Sequence, residues 1–99
     1  MDYEQKALDA LRSGNFDRAA TLLKHVVEEN KYASPVLNNA YTLALYKAGR
    51  QSELADASFQ IGNRSRDSDP AAAMDYFQRA LFNGISPEQV REIGDLRDP

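Results

Sequence analysis

The sequence predicts an all-α chain: a solenoid of three antiparallel helical hairpins, six helices in all. Three observations carry that prediction. Gly14, Gly49 and Gly84 recur at a spacing of 35 residues, each following one apolar-patterned segment and preceding another. Fourteen alanines against four prolines favour helix and let helix backbones approach closely. Two of the intervening segments end in a capping residue followed by proline, Ser34-Pro35 and Asp69-Pro70. That pair is a helix-start signal, because the first-turn N–H that proline lacks has no intrahelical acceptor anyway. A period of roughly 20–50 residues marks stacked units, none of which can bury its apolar face alone.

In the first unit, residues 3–13 place Ala7, Leu8, Ala10 and Leu11 on one face, and Ser13-Gly14 stops the helix. Glycine fits there because it accepts a left-handed backbone that other residues resist. Residues 16–29 carry a broad stripe of Phe16, Ala19, Ala20, Leu22, Leu23, Val26 and Val27 at helical period. Asn15 is the expected N-cap, and Asp17 complements the positive end of the helix dipole. Residues 30–33 form a loop before Ser34-Pro35 opens the third helix, 35–48, with Leu37, Ala40, Tyr41, Ala44, Leu45 and Ala48 inside.

The fourth helix, about 51–64, is weaker: Leu54, Ala55, Ala57, Phe59 and Ile61 do not fall on one clean stripe. After the polar linker 64–68, Asp69-Pro70 launches 70–82, with Ala73, Tyr76, Phe77, Ala80 and Leu81 facing inward and Gly84 closing it. Ser86-Pro87-Glu88-Gln89 is a capping box and opens a sixth helix through Val90, Ile93 and Leu96. The expected repeats are about 1–34, 35–69 and 70–99 of one domain, and the ending Asp95-Leu96-Arg97-Asp98-Pro99 suggests an excised module of a longer polypeptide.

Composition narrows the function. The net charge of −3 and the scattering of basic residues beside acids argue against a phosphate-binding surface. No cysteine is present, so disulfide and thiolate–metal chemistry are excluded. No run approaches the roughly 20 apolar residues of a membrane helix, and the first ten residues contain no signal-peptide apolar core. A cytoplasmic location is the expectation. His25 is the one histidine, with no spaced acid to orient it, and reads as a solvated or half-buried side chain. No Ser/His/Asp set, phosphate-cradling loop or metal-ligand cluster is present, so no enzyme activity and no cofactor are expected.

The run Ser13-Gly14-Asn15-Phe16-Asp17-Arg18-Ala19 resembles the inter-helix turn of the tetratricopeptide repeat. Lys47-Ala48-Gly49-Arg50 is similar one period later, although Gln51 stands where that family has an aromatic and Leu54 where it has alanine. The segment 69–81 also resembles the family, through a small–x3–aromatic–x2–small pattern typical of its second helix. The glycine period instead makes 70–82 a first helix, and a spacing kept twice constrains more than one local pattern. The resemblance implies a right-handed solenoid whose first helices line a concave groove for a protein or peptide partner.

Carried over residue by residue, that groove falls on Glu4, Leu8, Leu11 and Arg12 of the first helix, on Asn39, Leu43, Tyr46 and Lys47 of the third, and on Met74, Gln78, Leu81 and Phe82 of the fifth. Glu4, Leu8 and Ala40 occupy positions where some members hold a carboxylate with Lys and Asn, so that clamp is not expected. The other aromatic residues, Tyr3, Phe16, Tyr32, Tyr41, Tyr76 and Phe77, read mainly as packing.

The expected function is therefore a non-catalytic protein-interaction module, able to self-associate or to contact further repeats. One alternative is an accessory, positioning or dimerisation domain of a larger enzyme such as a glycosyltransferase. Another is RNA binding, because Lys47-Ala48-Gly49-Arg50 and Gly84-Ile85-Ser86-Pro87 also resemble pieces of pentatricopeptide repeats. The acidic balance weighs against RNA.

Overall fold

The computed structural model describes residues 2–84. Among these residues the chain is all-α: α1 (Tyr3–Arg12), α2 (Phe16–Glu29), α3 (Pro35–Lys47), α4 (Gln51–Ser65) and α5 (Pro70–Phe82), with no strand. The expected sixth helix and its capping box at Ser86 lie outside the described residues.

Side-chain caps fix the helix starts. Asn15, Ser34 and Asp69 accept from the backbone N–H groups of Arg18, Leu37 and Ala72, at 3.3, 3.3 and 3.1 Å. Each supplies a partner for one of the orphan donors of a first turn. Asp2 caps α1 in the same way, accepting from Gln5 N–H at 3.0 Å.

The glycine period is a period of helix ends. Gly14 and Gly49 take φ of +80° and +74°. At the end of α1, Gly14 N–H donates to Leu11 and Asn15 N–H to Ala10; at the end of α3, Gly49 donates to Tyr46 and Arg50 to Leu45. This paired closure is the Schellman motif, and it needs a left-handed residue just past the cap. Nothing lies within 4 Å of a Cβ built on either glycine, so backbone conformation, not space, selects the residue.

The end of α2 makes the same closure without glycine: Lys31 N–H donates to Glu28 and Tyr32 N–H to Val27. Lys31 and Tyr32 both sit at positive φ, 55° and 59°, a conformation that costs an L-residue roughly 1–2 kcal/mol. The buried Asn38 braces this turn, its Nδ2 donating to the Tyr32 carbonyl at 2.9 Å. Lys31→Gly is expected to stabilise the chain by about 0.5–1 kcal/mol, the relief of strain less the chain entropy of glycine. A raised urea midpoint at unchanged m value would register that gain.

The chain forms two compact units that divide between Arg50 and Gln51, within the second expected repeat. In the first, α1 packs on α2 and α2 on α3. The buried side chains of α2 are Ala19, Ala20, Leu22, Leu23 and Val27, and those of α1 are Ala7 and Ala10. Leu8 and Leu11, which share a face with Ala7 and Ala10 and were expected to line the groove, are half-buried. Arg50 ties the end of α3 to the start of α2: its Nη1 donates to the Asp17 carbonyl, the Asp17 carboxylate and the Thr21 hydroxyl, each at 3.1 Å. Asp17 is largely exposed, so water screens the ion pair and its worth lies in positioning.

In the second unit α4 packs on α5. The α4 stripe is clean after all, but two of its members are not large apolar residues: Leu54, Ser58, Ile61 and Gly62 are buried at helical spacing, with Ala55 and Ala57 beside them. A Cβ at Gly62 would meet the Phe77 ring at 2.8 Å, so the glycine is the hole that receives this aromatic knob. The Phe59 ring, half-buried, tilts at 60° against Phe77 with centroids 6.0 Å apart. Ser58 is buried with its hydroxyl unpaired, which costs about 1–3 kcal/mol.

Candidate interaction surface

The informative element is α3, which is apolar on two opposite sides. Tyr41, Ala44 and Leu45 are buried together with Asn38 and Thr42. The Thr42 hydroxyl donates back to the carbonyls of Asn38 and Asn39, at 3.1 and 3.2 Å, which satisfies it inside. On the other side Val36, Asn39, Leu43, Tyr46 and Lys47 are exposed. Their spacing of three, four, three and one residues puts them on a single outward stripe. Tyr46 is 69% exposed and Val36 76%, far more than a packed residue of either kind. A helix apolar all round is ordinarily buried all round, so half of this pattern is unexplained by the packing of its own unit.

In the second unit, α5 repeats the arrangement. Ala73, Tyr76, Phe77 and Ala80 fill its buried arc. Met74, Gln78, Leu81 and Phe82 are exposed along another face, Phe82 by 88%. Leu81, expected inside, is 38% exposed. It lies one helical step past Ala80, beyond the edge of an arc that four residues already occupy. Charges at the border of this face are paired locally: Arg79 meets Asp75 at 2.8 Å and lies over the Tyr76 ring, 4.7 Å from its centroid. Burial pushes the Tyr76 phenol above its usual pKa, with Arg79 pulling the other way.

The α1 positions are less exposed. Leu8 and Leu11 are half-buried, Glu4 is exposed, and the exposed Arg12 pairs with Asp9 at 3.0 Å. Tyr3, expected to pack, is 40% exposed and stacks on the exposed His25, with ring centroids 5.5 Å apart at 20°. A shallow depression of about 360 Å³ adjoins them, lined by Tyr3, Glu4, Val26, Glu29, Asn30 and Leu37.

The structure thus brings Asn39, Leu43, Tyr46 and Lys47 onto one face of α3, and Met74, Gln78, Leu81 and Phe82 onto one face of α5. Val36 was missed in the sequence, where it follows Pro35 in the first turn and belongs to no inward stripe. Its place three residues before Asn39 and seven before Leu43, on the same helical face, was the available signal.

Among the described residues no helix is long and apolar enough to cross a membrane, and no three His, Cys, Asp or Glu side chains are grouped to hold a metal ion. Compared with protein-family models, with curated proteins and with solved structures, the chain matches none.

Tyr46→Ala separates a recognition residue from a core residue. With its ring in solvent, the substitution should change unfolding free energy by less than about 1 kcal/mol. A loss of several kcal/mol in a denaturant titration would place the ring in a packed core.

Proposed function

We propose that the chain is a non-catalytic protein-interaction module, a tetratricopeptide-like helical repeat that presents exposed, partly apolar helix faces to a segment of a partner protein. The observation that carries this reading is the outward stripe of α3, where Val36, Leu43 and Tyr46 stay in water although their own unit has a packed interior. A cluster of large apolar side chains held on a rigid helix marks a contact surface more often than an accident of composition. The face of α5 with Met74, Leu81 and Phe82 gives independent support. The resemblance would make α1, α3 and α5 first helices, the helices that contact partners in that family. Half-buried Leu8 and exposed Arg12 make α1 the lesser contributor.

Capture from a lysate of the source cells tests the proposal. Wild-type protein and a Tyr46→Asp/Met74→Asp double variant are compared, with thermal melts of both to show that the variant is folded. Loss of the captured protein in the folded variant supports the reading, and equal recovery by both sinks it.

A further inference from the structure

We infer that the outer face of α3 receives an amphipathic helix of a partner protein, with an apolar ridge against Val36, Leu43 and Tyr46 and a carboxylate against Lys47. The inference rests on the interaction-module reading and names the chemistry of the partner.

Charge is the first ground. The chain is acidic overall, yet residues 30–52 contain no Asp or Glu, and this stretch covers the whole of α3 and both of its flanks. Its charged residues are Lys31, Lys47 and Arg50. Arg50 is engaged by Asp17 and Thr21 on α2. Lys47 is exposed on the same stripe as Leu43 and Tyr46. The carboxylate of the partner is therefore directed to Lys47, the one charged residue of the exposed stripe.

Geometry is the second ground. Val36 and Tyr46 are ten residues apart in the helix, a rise of about 15 Å or nearly three turns. Leu43 lies between them on the same exposed face. A second helix can lay its own i, i+3, i+7 ridge along such a row. The other occupants fit less well. A second copy of α3 brings no carboxylate to Lys47, because α3 has none. An anionic membrane calls for a polybasic margin, and Lys47 is the one basic residue of the stripe. The acidic balance of the chain disfavours RNA.

The test pans a displayed library of helical peptides of about 16 residues, long enough for the three-turn ridge, in which apolar register and charge vary independently. Selected peptides should carry apolar residues at i, i+3 and i+7 with Glu or Asp near one end. Lys47→Glu should weaken them about tenfold, and replacing the peptide acid by lysine should restore binding to that variant. Peptides without acidic bias, or indifferent to Lys47→Glu, overturn the inference while leaving the interaction module standing. If nothing selected depends on Leu43→Asp or Tyr46→Asp in protein that melts normally, both readings fail. The inference is also overturned if Leu43→Asp disperses a self-associated species in sedimentation, or abolishes binding to phosphatidylserine vesicles.

Discussion

Replacing Phe77 by alanine should cost about 3–5 kcal/mol, the largest loss expected from any single substitution in the described part of the chain. Phe77 is the largest of its fully buried side chains. Its ring sits in the hole left by Gly62 and against the Phe59 ring, so alanine would leave a cavity flanked by a residue with no side chain to collapse into it. A domain of this size commonly has only about 5–15 kcal/mol of stability in all, so the substitution is expected to remove a large share of it. A urea titration followed by helical circular dichroism measures the loss. A change under 1 kcal/mol would mean that the α4–α5 packing described above is wrong.

Leu23→Ala is the second large effect. Leu23 is fully buried on α2, the helix that packs against both α1 and α3, and truncating it should cost about 2–5 kcal/mol. The same substitution at Leu43, on the outer face of α3, should cost less than about 1 kcal/mol, because its side chain is 48% exposed. The pair is a controlled contrast, in which one chemistry is applied at two depths within one unit. Equal losses at the two sites would remove the distinction between core and recognition face on which the functional reading depends.

Much of the architecture was legible because it rests on local signals. The glycines mark helix ends, since a Schellman closure needs a left-handed residue and glycine adopts that conformation most readily. The Asn15, Ser34 and Asp69 caps follow from side-chain oxygens placed to accept first-turn N–H groups. Legibility failed where a tertiary neighbour decided the residue. Gly62 broke the apolar pattern of α4 because the Phe77 ring of α5 occupies the space a side chain would take, and Ser58 broke it as a buried polar residue. Lys31 and Tyr32 gave no sign of a left-handed turn, since neither is glycine and the brace comes from Asn38.

The candidate surface was half legible. Leu43, Tyr46, Met74 and Phe82 could be set aside as unused by inward stripes, and all four are exposed. Leu8, expected in the groove, is half-buried, and Leu81, placed both on the inward stripe and in the groove, is 38% exposed. Both stand at the edge of a buried arc, where a rotation of a few tens of degrees decides between core and solvent.

The central claim is that the outer stripes of α3 and α5 recognise another protein. Partner yield captured by the Tyr46→Asp/Met74→Asp variant, relative to wild type at matched folded concentration, tests it most directly. The account predicts at least a tenfold drop, about 1.4 kcal/mol of lost affinity, with thermal midpoints within a few degrees of each other. Recovery of the same partner at the same yield would contradict it.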